Sequence, residues 1–259
     1  MNDALSVVVP AFNEARRLPA LLDALAGEGR RAFDAAGLEL AEVIVVDDGS
    51  TDGTSELVRA RSDGAIRLRA LRLERNRGKG AAVQAGMLAA RGRFGLLTDA
   101  DMATPLEDVA RLAAAVENGA DVAIGSRALP SSDILVHQPG HRELMGKGFN
   151  RALRLLTGLP YRDTQCGFKL FRLPAARRLF ELQRVSGFAY DAELLVLARQ
   201  LGLSVAEVGV RWADDRETTV KIFSASSRMA LDLLRIAWLA RVPAAVRAER
   251  APLARGPGP

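Results

Sequence analysis

Glu42–Gly53 reads EVIVVDDGSTDG, an apolar run cut off at Asp47-Asp48-Gly49-Ser50 by two carboxylates and a turn. A strand that is apolar on both faces must be covered on both, as in a parallel sheet flanked by helices. The same pattern recurs on either side. Before it, Leu5–Pro10 (LSVVVP) is a strand, and Arg16–Leu25 carries Leu18, Leu21, Leu22 and Leu25 at helical spacing. After it come a helix over Thr54–Arg61, a strand over Arg67–Leu73, a helix over Ala81–Arg91, a strand over Phe94–Thr98, a helix over Leu106–Asn118 and a strand over Asp121–Gly125. This alternation predicts an α/β fold, a mostly parallel sheet with helices on both faces.

Ligands of such sheets bind beyond the C-terminal ends of the strands. The polar residues fall at those ends: Pro10-Ala11-Phe12-Asn13-Glu14, Asp47-Asp48, Asp99-Ala100-Asp101 and Gly125-Ser126-Arg127. Past residue 128 the pattern loosens. A basic helix spans Gly140–Thr157, Thr164–Arg172 is extended, Asp191–Leu201 is a helix, Ser204–Val210 is a last strand and Ser226–Ala240 a last helix. Arg241–Pro259, rich in Ala, Arg, Pro and Gly, is expected to fray.

With 259 residues, 49% hydrophobic and 26% charged, the chain has the balance of a globular protein and can bury a sizeable core. The net charge of +5, without a basic run interleaved with aromatics, speaks against a nucleic-acid partner and suits an anionic small substrate or a membrane surface. Apart from Lys79, Lys147, Lys169 and Lys221 the basic residues are all Arg, the residue suited to bidentate phosphate contacts, although genome base composition produces the same bias. Cys166 stands alone, so no internal disulfide forms, and no Cys and His have zinc-ligand spacing; an intracellular chain is expected. With no His in sequence range, Cys166 reads as a small buried residue, and His137 and His141 read as exposed-loop residues. No leader-like apolar segment opens the chain, and no uncharged run approaches the ~20 residues of a membrane span, so neither export nor spanning is expected.

Three segments carry chemistry. In Asp99-Ala100-Asp101, two carboxylates where a strand opens into a loop can share a hard divalent cation that keeps water and binds phosphate oxygens. The same triplet also reads as an acidic loop, with Asp101 or Thr104 capping the helix near Pro105. A carboxylate of Asp47-Asp48 can accept a pyrimidine N–H or a ribose hydroxyl, or simply shape a turn. Asn76-Arg77-Gly78-Lys79-Gly80 opens a helix whose backbone N–H groups and Lys79 suit a phosphate, with a capped surface turn as the alternative; it is not a Walker loop.

Together VVVPAFNEA (Val7–Ala15), VVDDGSTDGT (Val45–Thr54), NRGKGAAVQAG (Asn76–Gly86) and TDADMATP (Thr98–Pro105) resemble, in order, the inverting family 2 glycosyltransferases of GT-A fold. Ile124–Arg127, HRELMGKGFNRALRL (His141–Leu155), RDTQCGFKLF (Arg162–Phe171) and FAYDAEL (Phe188–Leu194) look like the dolichyl-phosphate glucosyltransferase branch, with polyprenyl-phosphate mannosyltransferases as near relatives. The resemblance covers residues 5–240. It implies one GT-A domain over 1–225, with a nucleotide-sugar half at 1–125 and an acceptor half at 126–225, then an amphipathic helix and flexible tail at 226–259.

By that resemblance Pro10, Ala11, Asn13, Glu14, Asp47, Asp48 and Lys79 hold a nucleoside diphosphate sugar, with Asp48 facing the base. Asp99 and Asp101 orient Mg²⁺ or Mn²⁺. Ala103 stands where some mannosyltransferase relatives carry a metal-binding Gln; small residues there belong to the glucosyltransferase branch, which favours UDP-glucose over GDP-mannose. An acceptor phosphate is already anionic and needs no general base, but cations must hold it beside a diphosphate. Arg127, Arg142 and Lys169 are the candidates for that clamp, with a solvated or helix-pairing charge as the alternative for each. Gln165 faces the sugar or metal. Asp191 and Glu193, at a helix start, are candidates for binding sugar hydroxyls, or for base catalysis if the acceptor is an alcohol; an N-cap for Asp191 and a salt bridge for Glu193 are the alternatives. Asp101, Arg127 and Asp191 are the catalytic candidates.

The implied activity is transfer of glucose from UDP-glucose to a polyprenyl, dolichyl-type phosphate with inversion. GDP-mannose as donor, or a non-lipid acceptor, is the alternative, and a catalytically idle sugar-nucleotide sensor is disfavoured by the intact Asp99/Asp101 pair. The last helix, with Arg228, Asp232 and Arg235 on one narrow face and Leu231, Leu234, Ile236, Ala237, Trp238 and Leu239 over the rest, either packs on the core or lies on a bilayer helped by Arg241, Arg247 and Arg250. A cytoplasmic enzyme, peripheral on the inner face of the membrane, is expected.

Overall fold

A computed structural model describes residues 3–61, 66–138, 140–214 and 222–241, with the side chains of 141–143, 145, 147 and 222–230 left out; the tail expected to fray, with Arg247 and Arg250, lies outside the described residues. Seven strands form the main sheet: β1 (Asp3–Ala11), β2 (Leu38–Asp47), β3 (Leu68–Arg72), β4 (Phe94–Leu97), β5 (Val122–Ser126), β7 (Lys169–Arg172) and β8 (Val205–Gly209), in the order β3-β2-β1-β4-β7-β5-β8. β6 (Asp133–Val136) and β9 (Arg211–Ala213) make a small separate ribbon. The pairs β1·β2, β1·β4, β2·β3 and β5·β8 are parallel.

Strand bodies alternate between two apolar layers, as a period of two requires. Val8, Ile44, Val46, Leu97, Ile124 and Phe171 face one core, and Val7, Val9, Val43, Val45, Leu96, Ala123 and Leu170 the other. The second layer is completed by α1 (Leu18–Ala24), α2 (Arg30–Ala35) and α5 (Val109–Glu117). The first is completed by α4 (Lys79–Ala89), α7 (Leu173–Leu182), α8 (Tyr190–Gln200) and part of α9 (Ile222–Arg241). α3 (Thr54–Ala60) packs beside β3, and α6 (Gly140–Thr157) packs against α9.

Three features depart from the sequence reading. Of the extended Thr164–Arg172 segment only β7 is a strand, and it runs antiparallel between β4 and β5, so its N-terminal approach reaches the edge where the parallel strands end. The strand expected over Ser204–Val210 is β8, but it is not the last: Gly209 lies so close to Ser131 that a Cβ would sit 2.3 Å from its hydroxyl, and the chain then leaves β8 to pair as β9 with β6. Two helices were not foreseen. α1 continues through a π turn at Leu25–Gly29 into α2, because Leu25 and Phe33 extend the same buried face past both glycines. α7 buries Leu173, Ala176, Leu179 and Phe180 at helical spacing.

Candidate active site

The loops after β1 and β2 are stitched together. Asn13 adopts φ +56, a left-handed conformation that Asn tolerates better than most residues. Its N–H donates to Ser50 Oγ at 2.8 Å and its side-chain oxygen accepts the Thr51 N–H at 3.0 Å. Glu14 N–H donates to Thr54 Oγ1 and Ala15 N–H to Asp52 Oδ2, each at 3.0 Å. Asp47 is buried, with Oδ1 accepting the Ser50 N–H at 2.8 Å and Oδ2 accepting the Ser55 hydroxyl. Asp48 accepts the N–H groups of Arg77 and Gly78 at 2.7 Å each, which anchors the loop leading into α4. Burial pushes the Asp48 carboxyl up, against those two hydrogen bonds. Pro10 and Ala11 end β1 immediately before this junction. The acidic turn therefore ties the β1, β2 and α4 loops together, and its oxygens are largely spent on backbone groups.

Lys79 opens α4 and reaches across to Asp99, Nζ lying 2.6 Å from Oδ1 and 2.8 Å from Oδ2. Burial alone would lower the Lys79 pKa, but the Asp99, Asp191 and Asp101 carboxylates raise it. Asp101 is pushed up by burial and then by the charge of Asp99. Glu14 faces the same pair: burial raises it, Arg17 opposes, and Asp101 and Asp99 add to the rise. Met102 turns the loop with φ +51, and Ala103 N–H donates to Asp101 Oδ1 at 3.1 Å. Gly167 fits against this loop because it lacks a side chain; a Cβ there would lie 2.0 Å from Asp99 Oδ2. Thr98, Asp99, Asp101, Ala103, Thr104, Gly167, Phe168 and Trp212 line one cleft.

Arg127 directly follows β5. Its Nε lies 2.6 Å from Asp163 Oδ2 and its Nη2 3.0 Å from Oδ1, a bidentate fork, and its backbone N–H donates to the same carboxylate at 3.0 Å. Gln165 N–H donates to Asp163 Oδ1 at 3.1 Å, and Asp163 N–H to Glu207 Oε1 at 2.7 Å. Although burial favours the neutral acid, the Arg127 charge and hydrogen bonds hold the Asp163 carboxyl below the usual range. The guanidinium lies over the Trp212 ring, 5.4 Å from its centroid.

Lys169 and Asp191 are both buried, at 1% and 4% exposure, and pair at 2.5 Å, with Nζ also donating to the Cys166 carbonyl. Burial raises the Asp191 carboxyl, against Lys169 and Lys79. Lys169 thus faces a carboxylate inside the protein, away from solvent. Glu193, also buried, accepts the N–H groups of Arg184 and Val185 and so shapes the turn before α8. Cys166 is buried, as expected. Arg142 lies on α6, its side chain outside what is described. The structure therefore gathers Glu14, Lys79, Asp99 and Asp101 with Asp191 and Lys169 behind them, while Arg127 and the Gln165 N–H share the Asp163 carboxylate and Arg127 meets the cleft-lining Trp212. Sequence reasoning missed Asp163, Gly167, Glu207 and Trp212. The first two sit inside the quoted RDTQCG string, but nothing local marks an Asp as the partner of an Arg 36 residues away.

The architecture defines a GT-A glycosyltransferase. Glucosyl-3-phosphoglycerate synthase from Mycobacterium tuberculosis, in a crystal structure with Mn²⁺ and uridine-diphosphate-glucose, shares the fold with a TM-score of 0.63 at 20% identity, over 93% of this chain and 80% of that one. The Glycosyl transferase family 2 profile matches residues 6–180. Dolichyl-phosphate beta-glucosyltransferases from Dictyostelium discoideum and Drosophila melanogaster are 38% and 40% identical, covering 91% and 90% of this chain and 74% of each relative; that from Homo sapiens is 38% identical over 89% and 74%. The chain belongs to glycosyl transferase family 2, and its curated relatives place it on the dolichyl-phosphate beta-glucosyltransferase side of that family.

Proposed function

We propose that this protein transfers glucose from UDP-glucose to a polyprenyl, dolichyl-type phosphate with inversion at the anomeric carbon. The observation that carries the reading is the convergence of Asp99 and Asp101 with Lys79 at one sheet edge, in a cleft whose Trp212 meets the Asp163-locked Arg127. The pair fits a divalent cation, Mg²⁺ or Mn²⁺: burial and then the Asp99 charge raise the Asp101 carboxyl, and a cation relieves both. Among the described residues no third acidic, His or Cys side chain completes a cation site, so diphosphate oxygens and water would fill the remaining positions. When bound, such an ion supplies Lewis-acid charge to a departing diphosphate.

The protein groups do the rest. Asp48 holds the loop that brings Lys79 to the carboxylates, and Pro10, Ala11, Asn13, Glu14 and Asp47 shape the nucleotide rim. Lys79 is placed to meet the diphosphate once its carboxylate partner turns to the cation. Arg127, held by Asp163, faces the incoming phosphate, with Gln165 beside it and Arg142 as the further cation on α6. The new bond forms from a phosphate oxygen to C1 on the face opposite the breaking bond to UDP. A phosphate needs no proton removed, so no general base is required, and Asp191, in its pair with Lys169, acts from behind by holding the charge on Lys79.

The acceptor is proposed to arrive from a bilayer. No described helix is long and apolar enough to cross a membrane. On α9, Ile236, Ala237 and Leu239 are buried while Leu231, Leu234 and Trp238 are 58%, 63% and 59% exposed on the outer face; Leu144 and Leu155 are exposed on adjoining α6. Exposed Arg151, Arg154, Arg235 and Arg241 flank them. An apolar face ringed by arginines suits the anionic inner leaflet from the cytoplasmic side. Within this reading residues 1–125 bind donor, 126–225 bind acceptor, and 226–259 dock on lipid.

The test is to incubate purified protein with Mg²⁺, labelled sugar nucleotides and short polyprenyl phosphates. UDP-glucose should give labelled lipid, and Asp99→Asn with Asp101→Asn should cut the rate at least about a hundredfold, the scale of losing one transition-state contact. No labelled lipid from any donor, or a double variant within about tenfold of wild type, rejects the mechanism.

A further inference from the structure

Trp212 lines the cleft of the carboxylate pair and has no role in the mechanism above. Three contacts fix the short strand that carries it. Trp212 pairs with Ile134 across the β6·β9 ribbon. Ala213 N–H donates to the Ala103 carbonyl at 2.9 Å, tying the strand to the loop that follows Asp101. Arg211 is held by Asp108, its N–H at 2.6 Å from Oδ2 and its Nε at 2.8 Å from Oδ1. On the other side the ring meets the Arg127 guanidinium, itself locked by the Asp163 fork. The indole thus stands between the Asp99/Asp101 pair and the Arg127–Asp163 pair. In a transfer reaction these two charged clusters serve the leaving group and the nucleophile, so the carbon that changes partners lies between them.

A pyranose carries hydroxyls around its rim and C–H bonds on its faces. Polar groups take the rim, and an aromatic ring packs on a C–H face, as in other largely apolar sites with a few placed polar groups. The cleft offers polar groups on its carboxylate side, and of its two aromatic residues Phe168 is buried while Trp212 is partly exposed.

We propose that Trp212 is the hexose wall of the active site: it packs on the C–H face of the transferred sugar and, through its contact with Arg127, aligns the acceptor cation with the anomeric carbon. The assignment rests on the nucleotide-sugar reading and adds to it the residue that discriminates among sugars carried on the same nucleotide.

The chain has two tryptophans, so Trp238→Phe leaves Trp212 as the sole indole emitter. In that background, emission is titrated with Mg²⁺ and UDP, then with Mg²⁺ and UDP-glucose. UDP-glucose should change the emission beyond the effect of UDP. In the wild-type background, Trp212→Ala should lower kcat/KM for UDP-glucose roughly 10–100-fold while the Kd for UDP, by calorimetry, stays within about threefold, and Trp212→Phe should recover most of the loss. Trp212→Leu against Trp212→Phe poses the same question if the alanine variant is too unstable to assay, since only Phe keeps an aromatic face. If UDP binds but the glucose moiety leaves Trp212 emission unmoved, or Trp212→Ala or Trp212→Leu matches Trp212→Phe in kcat/KM, the wall is elsewhere and the nucleotide reading stands. If UDP binds to neither wild type nor variant, both assignments fall together.

Discussion

Gly167 and Asp99 show how a single missing side chain makes room for a charge. A Cβ at position 167 would lie 2.0 Å from Asp99 Oδ2, and the atom it meets is the far end of a side chain, so Gly167→Ala should turn the carboxylate aside more than it unfolds the protein. Activity should fall more than tenfold for a stability loss of about 1–3 kcal/mol; equal activity, or global unfolding at room temperature, contradicts this. Asp163 makes a second residue-level case. Its folded pKa is held below the unfolded value of about 3.9 despite burial, so the stability it contributes is present above pH ~4 and is lost as pH falls through the folded value. Asp163→Asn should cost about 3–5 kcal/mol near neutral pH by leaving Arg127 without its fork, with the gap from wild type shrinking only as acid protonates Asp163. Denaturant titrations between pH 7 and 3 measure both. A gap that does not change with pH would mean that the carboxylate charge is not what Arg127 needs.

At the scale of elements, β7 and α9 matter most. The reversed direction of β7 brings Gln165–Phe168 to the edge where β1, β2, β4 and β5 end, so Gly167 and Phe168 join Asp99 and Asp101 in lining the cleft. The helical spacing at the C-terminus was compatible with core packing and with a lipid-facing surface, and α9 divides its residues between the two: Ile236, Ala237 and Leu239 inward, Leu231, Leu234 and Trp238 outward. Leu234→Glu with Trp238→Glu should therefore leave the fold intact and weaken binding to vesicles containing anionic lipid by at least tenfold, with what remains falling as salt is raised, since each surface Arg adds about 1 kcal/mol of screened attraction. Vesicle flotation reads this directly; undiminished binding would place the lipid contact elsewhere.

Across the whole molecule, the site is assembled from widely separated stretches of the chain, and a ligand spanning them should stabilise the fold. UDP with Mg²⁺ at a hundredfold excess over Kd should add about 2.7 kcal/mol to unfolding, a Tm rise of about 5–10 °C for a domain of this size. Asp99→Asn should remove the Mg²⁺-dependent part; an unchanged rise in that variant would separate the metal from the carboxylates. By itself the sequence determined the layering and the location of chemistry, because both follow from local rules. Apolar runs such as Val43–Val46 must be covered on both faces, and polar residues such as Asp48, Asp99 and Arg127 then fall where the strands end. Only the tertiary structure decided which polar groups meet which. It spent Asp47 and Asp48 on turns, sank Lys169 onto Asp191, gave Arg127 its Asp163 and set Trp212 over the cleft, since such pairings depend on strand order and on the reversal of β7, which no local pattern encodes.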